Sequence, residues 1–218
     1  MTRLNQPPRG AFSDPAELEN YDAVTRRMTA MSGNSEIDPE LGAPRVGDYF
    51  GALLNSPPMV AIASQMGTFV RGVGSKPGSY SHADREFVDQ VLSADWRTNV
   101  VQSVHIADAV AMGVRLEAIE ALRHGREEEL TDDERLLARY IRQAVSGTVD
   151  EETFAAMLDR LGARGLVEYT GFILWLQWII RMMQALDTPN LPESEVDRII
   201  AGLRDGSIPI PDAQARIH

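Results

Sequence analysis

The chain contains no cysteine. That excludes disulfides, thiolate catalysis, thiol redox cycling and cysteine metal sites, whatever the fold. Basic charge is in the minority: 21 Lys and Arg stand against 32 Asp and Glu, a formal net charge of −11. A field of that sign repels phosphate backbones and anionic lipid headgroups, and no Lys/Arg cluster makes a local exception. Nucleic acid and membrane are therefore not expected as partners. A long apolar run is missing too. The most apolar stretch, Tyr169 to Ile180, has twelve residues bounded by Glu168 and Arg181. As a helix it spans roughly 18 Å against the ~30 Å of a bilayer core. The first fifteen residues, MTRLNQPPRGAFSDP, lack the apolar core of a secretion signal. The expectation is a soluble, cytoplasmic protein.

Metal and nucleotide signatures are also lacking. There is no His-x-x-x-His or Glu-x-x-His spacing, and His82, His124 and His218 fall in loops or near ends, so no metal is expected. No dinucleotide fingerprint or serine nucleophile elbow occurs. Gly72-Val73-Gly74-Ser75-Lys76 misses the spacing of a phosphate loop. No cofactor is expected.

What the chain does have is helical punctuation. Asp14-Pro15 opens a helix running to about Met31, and 32–44, rich in Gly, Asn, Asp and Pro, reads as a linker. Helices follow over about 46–54, from Ser56-Pro57-Pro58 to about Gly72, and over 82–95, 98–112, 115–124, 132–145, 151–161, 164–186 and 193–203. Three segments match a capping box: Ser81-His82-Ala83-Asp84, Thr131-Asp132-Asp133-Glu134 and Thr148-Val149-Asp150-Glu151. Gly113 suits a left-handed helix end. No run of alternating β-branched residues occurs, so no strand is expected and the fold class is all-α. Three segments are expected: 1–45 as an N-terminal helical extension with linker, 46–187 as the main domain, and 188–218 as a C-terminal helix and polar tail.

The helices 82–95 and 98–112 form a hairpin turning near Asp95 to Arg97. Glu86 lies about ten residues before that turn and His105 about nine after it. In an antiparallel pair, positions equidistant from the turn stand level, so a carboxylate and an imidazole face each other if both point into the seam. Val101, Val104, Asp108 and Met112 give the His105 side a mostly apolar stripe. Such a pair can work as a general acid or base. It can equally be a hydrogen-bonded packing contact, and spacing alone leaves both open.

Arg85-Glu86-Phe87-Val88, then His105-Ile106-Ala107-Asp108-Ala109-Val110-Ala111-Met112-Gly113-Val114 and Glu117-Ala118-Ile119-Glu120-Ala121-Leu122, resemble in order the core of the carboxymuconolactone decarboxylase-like superfamily, which includes the alkyl hydroperoxidase D-like proteins. Gly51-Ala52-Leu53-Leu54-Asn55-Ser56-Pro57 resembles the segment before that core. The resemblance covers about 46–187. It implies an all-α helical bundle, homo-oligomers (trimers or hexamers) and Glu86 and His105 as a proton-relay pair. The peroxidase branch carries Cys-x-x-Cys before the His; here those places hold Thr98 and Val101, so thiol peroxidase chemistry is excluded. The decarboxylase branch does cofactor-free acid–base chemistry on a small carboxylated lactone, with Glu-Tyr-Glu-Trp before the His. Here that segment is Asn99-Val100-Val101-Gln102, which implies a different substrate. The resemblance thus implies a lyase, decarboxylase or isomerase acting on a small oxygenated carbonyl or lactone compound, or a non-catalytic helical scaffold of the same family.

Further candidates flank the pair. Gln102 and Asn99, about one and two turns before His105, either orient a substrate carbonyl or are ordinary surface or capping amides. Trp178 and Arg181, with Trp175, fall on one side of the apolar helix, as a substrate-binding wall with an Arg clamp or as an oligomer contact. Asp108 is placed to steady the far imidazole nitrogen or simply to face solvent. Trp96 reads as a packing anchor at the turn.

Overall fold

The computed structural model describes residues 2–72 and 78–212, apart from the side chain of Met31. Residues 73–77, which take in most of the Gly72-Val73-Gly74-Ser75-Lys76 stretch, and the end of the polar tail, 213–218, lie outside the described residues. Among the described residues the chain is all-α, with nine helices: α1 Pro15–Ser32, α2 Asp48–Leu53, α3 Pro57–Gly72, α4 His82–Trp96, α5 Asn99–Ala111, α6 Leu116–His124, α7 Asp132–Ser146, α8 Glu151–Ala185 and α9 Glu193–Asp205. One expectation needs correcting. The linker contains a ladder of two two-residue strands, β1 Ile37–Asp38 and β2 Ala43–Pro44, paired antiparallel. Two residues are too few to show alternation in sequence. The turn between them is closed by the backbone of Asp38 and by Gly42 at φ 62.

Local chemistry explains most helix boundaries. Asp14 caps α1 by accepting from the Ala16 N–H at 2.7 Å. Ser81 and Asp84 exchange the two hydrogen bonds of a capping box at the start of α4, and Thr131 and Glu134 do so at α7. The third expected box is not formed. The Asp150 carboxylate accepts from the Thr153 N–H at 2.7 Å, making Asp150 the cap of α8, while Thr148 Oγ1 pairs with Ser146. A carboxylate next to the first helical residue reaches the orphan N–H groups directly, which a hydroxyl two residues earlier does not. The helices expected over 151–161 and 164–186 are the two arms of α8, which breaks at Gly162 (φ 67, ψ 169).

The chain forms two compact units. One comprises 1–68 and 181–189. Within it Gln6 is a linchpin: its amide nitrogen donates to the Tyr21 hydroxyl and the Pro44 carbonyl, and its oxygen accepts from the Val46 N–H, at 2.9 to 3.0 Å. The other comprises 69–180 and 190–218. Here α4 is central, buried along its length from Asp84 to Ser93 and packed on α5, α6 and α7, while α9 packs on α5. Phe87, Val88, Val91 and Leu92 are at most 3% exposed. Each side chain of that kind contributes about 1.5–3 kcal/mol by leaving water. The same helix also buries Asp84, Arg85, Glu86, Asp89, Gln90 and Ser93, and this polar face of a core helix positions the site.

Candidate functional site

A buried charge persists only if paired and hydrogen-bonded, so the ionic residues of α4 reveal their surroundings by their partners. Asp84, at the helix start, accepts from Arg160 at 2.8 Å. Arg85 donates to the Arg71 carbonyl at 2.9 Å and to the carboxylate of Glu86. The other oxygen of Glu86 lies 3.0 Å from Nδ1 of His105 on α5. The hairpin thus brings Glu86 and His105 into direct contact. The turn geometry behind this is a left-handed Arg97 (φ 51) whose carbonyl accepts from Asn190 at 2.7 Å. The Glu86 side chain is 1% exposed, that of His105 20%. One member is shut in and the other reaches solvent.

Two further residues complete the cluster. Asp89, one turn after Glu86, lies with Oδ1 3.7 Å from Nε2 of His105 and is fully buried. Arg71, at the end of α3, binds Asp89 with both terminal nitrogens at 3.0 and 3.3 Å, and its Nη2 lies 3.4 Å from Nε2 of His105. The guanidinium is stacked by Phe172 and Trp175, its carbon 5.3 and 5.6 Å from the ring centres. Asp89 was legible in principle, being three residues from Glu86 on the same helical face. Arg71 had no such signal, because only the fold brings the end of α3 to this face of α4.

Electrostatics follow from the partners. Burial pushes the Glu86 carboxyl up, but the hydrogen bond from His105 and the charges of Arg85 and Arg71 win, bringing it down to about 2. Arg71 loses by burial but is held above the ordinary arginine value by Asp89 and Glu86. Glu86, Asp89 and His105 bring ligand atoms within 4.8 Å of one another, close enough to share one cation. Each carboxylate, however, already accepts from a guanidinium, and two arginines balance two carboxylates. A divalent ion would meet no net negative charge there, so the arrangement suits proton transfer better than metal binding.

The other sequence candidates lie in different settings. Asn99 is 5% exposed and donates to the Leu191 carbonyl at 2.8 Å, tying α5 to the segment before α9. Gln102 is fully buried, its oxygen accepting from Arg123 at 2.8 Å. Trp178 is half-buried on α8, while the rings on Arg71 are those of Phe172 and Trp175. Arg181 belongs to the first unit, where it is exposed and donates to Gln184 at 2.8 Å. A second carboxylate near the imidazole is that of Asp89. Trp96 is half-buried at the hairpin turn.

Comparison with protein-family models, curated proteins and solved structures gives no match for this chain. The functional reading therefore rests on the residues and their geometry.

Proposed function

We propose that the chain is a cysteine-free member of the carboxymuconolactone decarboxylase-like superfamily and a cofactor-independent acid–base enzyme, of lyase, decarboxylase or isomerase type. The observation that carries this is the 3.0 Å contact between a sealed Glu86 and a partly open His105. Glu86 orients the imidazole through Nδ1, leaving Nε2 to take a proton from a small oxygenated carbonyl or lactone compound, or to return one. As the substrate bond breaks, its electron pair moves into the adjacent carbonyl, and the proton from His105 later quenches the carbanion or enolate. General catalysis of this kind contributes about 10²- to 10⁴-fold.

The test is a screen of small carbonyl and lactone compounds with the purified chain, followed by Glu86→Gln and His105→Asn. Both variants should fold, and both should lose at least about 10²-fold in turnover on whatever substrate is found. Full activity in both would overturn the reading. Homo-oligomers, trimeric or hexameric, belong to the same proposal: Val104, Val167 and Leu174 are 64, 72 and 42% exposed, apolar area that a second copy would remove from water. A monomer in analytical ultracentrifugation would remove that part.

A second reading has its own support. With Arg85, Arg71 and Asp89 included, every charge of the cluster has a partner within the chain, as a structural ion network requires. In that case the protein is a non-catalytic helical binding or scaffold protein. Glu86→Gln and His105→Asn would then lower stability and alter no turnover.

A further inference from the structure

We propose that Arg71 is a positioning residue that keeps Nε2 of His105 free of a proton against the pull of Asp89, so that the imidazole stands ready as its Nδ1–H tautomer. The assignment follows from what each neighbour can and cannot do. An ionised carboxylate only accepts, so the ring nitrogen 3.0 Å from Glu86 carries the hydrogen. A guanidinium only donates, so the ring nitrogen 3.4 Å from Arg71 Nη2 presents its lone pair. The two contacts agree on one tautomer, the minor one for free histidine in water.

Asp89 works the other way. Its Oδ1 is 3.7 Å from Nε2, beyond hydrogen-bond reach but near enough to welcome a proton there. Arg71 opposes this twice. Its paired contacts at 3.0 and 3.3 Å occupy the carboxylate, and its own N–H groups and positive charge meet any proton placed on Nε2. Stacking on Phe172 and Trp175 fixes the guanidinium plane that makes both effects possible. Without Arg71 the imidazole would lie between two carboxylates, Glu86 and Asp89, and hold protons on both nitrogens. Such a ring cannot act as a base. The inference gains its catalytic meaning from the acid–base reading above, but the tautomer is a property of the resting protein.

The experiment is a long-range ¹H–¹⁵N correlation spectrum of the imidazole rings in the full ¹⁵N-labelled chain near neutral pH, with His105 assigned through His105→Asn. The wild-type chain should show a protonated, pyrrole-type Nδ1 and a bare, pyridine-type Nε2. Arg71→Met should shift His105 to the doubly protonated pattern. Arg71→Met with Asp89→Asn, which removes both charges together, should return it to the wild-type pattern, and Arg71→Lys should restore it at least in part. If Arg71→Met does not fold, Arg71→Gln keeps an amide donor for Asp89 without the charge, and the doubly protonated pattern is expected there. A proton on Nε2 in the wild-type chain overturns the proposal, as does a bare Nε2 in Arg71→Met or, failing that, in Arg71→Gln. The expected spectra in a chain that turns over no substrate would support Arg71's positioning role while sinking the acid–base reading.

Discussion

Glu86 and His105, nineteen residues apart in sequence, meet across the α4–α5 seam at 3.0 Å. The guanidinium of Arg85 takes the remaining oxygen of Glu86, so neither lone-pair face of this carboxylate is left to water. The imidazole is correspondingly held from one side and open on another. Such an arrangement makes the pair a contributor to stability as well as a candidate for chemistry, and the two contributions can be separated by pH.

Glu86 titrates near 2 in the folded chain, against an ordinary value of 4.5. A depressed folded-state value means that its stabilisation is fully present above about 4.5, the unfolded value, and is lost as pH falls toward about 2. Chemical denaturation at a series of acid pH values should therefore show a steeper loss of stability in the wild-type chain than in Glu86→Gln. Parallel curves would remove Glu86 from the acid response.

Gly162 breaks α8 at φ 67 and ψ 169, a region that side-chain-bearing residues scarcely populate. A Cβ there has open space, with no heavy atom within 4 Å, so the cost of Gly162→Ala is backbone strain alone. It should destabilise by about 1–3 kcal/mol, read as a lowered denaturation midpoint. No change would mean that the break relaxes into continuous helix.

The cap of α8 offers a comparison within one turn. Asp150→Ala removes the acceptor for the Thr153 N–H and should cost about 0.5–2 kcal/mol. Thr148→Ala loses an exposed hydroxyl contact to Ser146 and should stay within about 0.5 kcal/mol. The reverse order, measured by urea denaturation, would return the cap to Thr148.

Much of this was legible in the residues. The helices of the hairpin, its turn near Arg97 and the caps at Ser81 and Thr131 depend on local rules: hydroxyls and carboxylates satisfy orphan N–H groups, and periodicity places residues on faces. The level of Glu86 with His105 followed from counting along two helices, a distance that a rigid 1.5 Å rise per residue fixes. The short ladder at 37–44 was not legible, because two paired residues leave no pattern. The cap at Asp150 was misplaced by two residues because Thr148 and Asp150 are both good capping residues, and only the backbone path chooses between them.

The sequence by itself determined the absence of thiol chemistry, the all-α class and the place of the acid–imidazole pair, since composition and helix geometry act over short stretches of chain. Tertiary structure alone decided what surrounds that pair. Arg71 comes from the end of another helix and Phe172 and Trp175 from a third, residues whose meeting depends on how helices pack. The charge balance that disfavours a metal and the tautomer assigned to His105 both follow from those neighbours, because electrostatics in a buried site depends on distance in space.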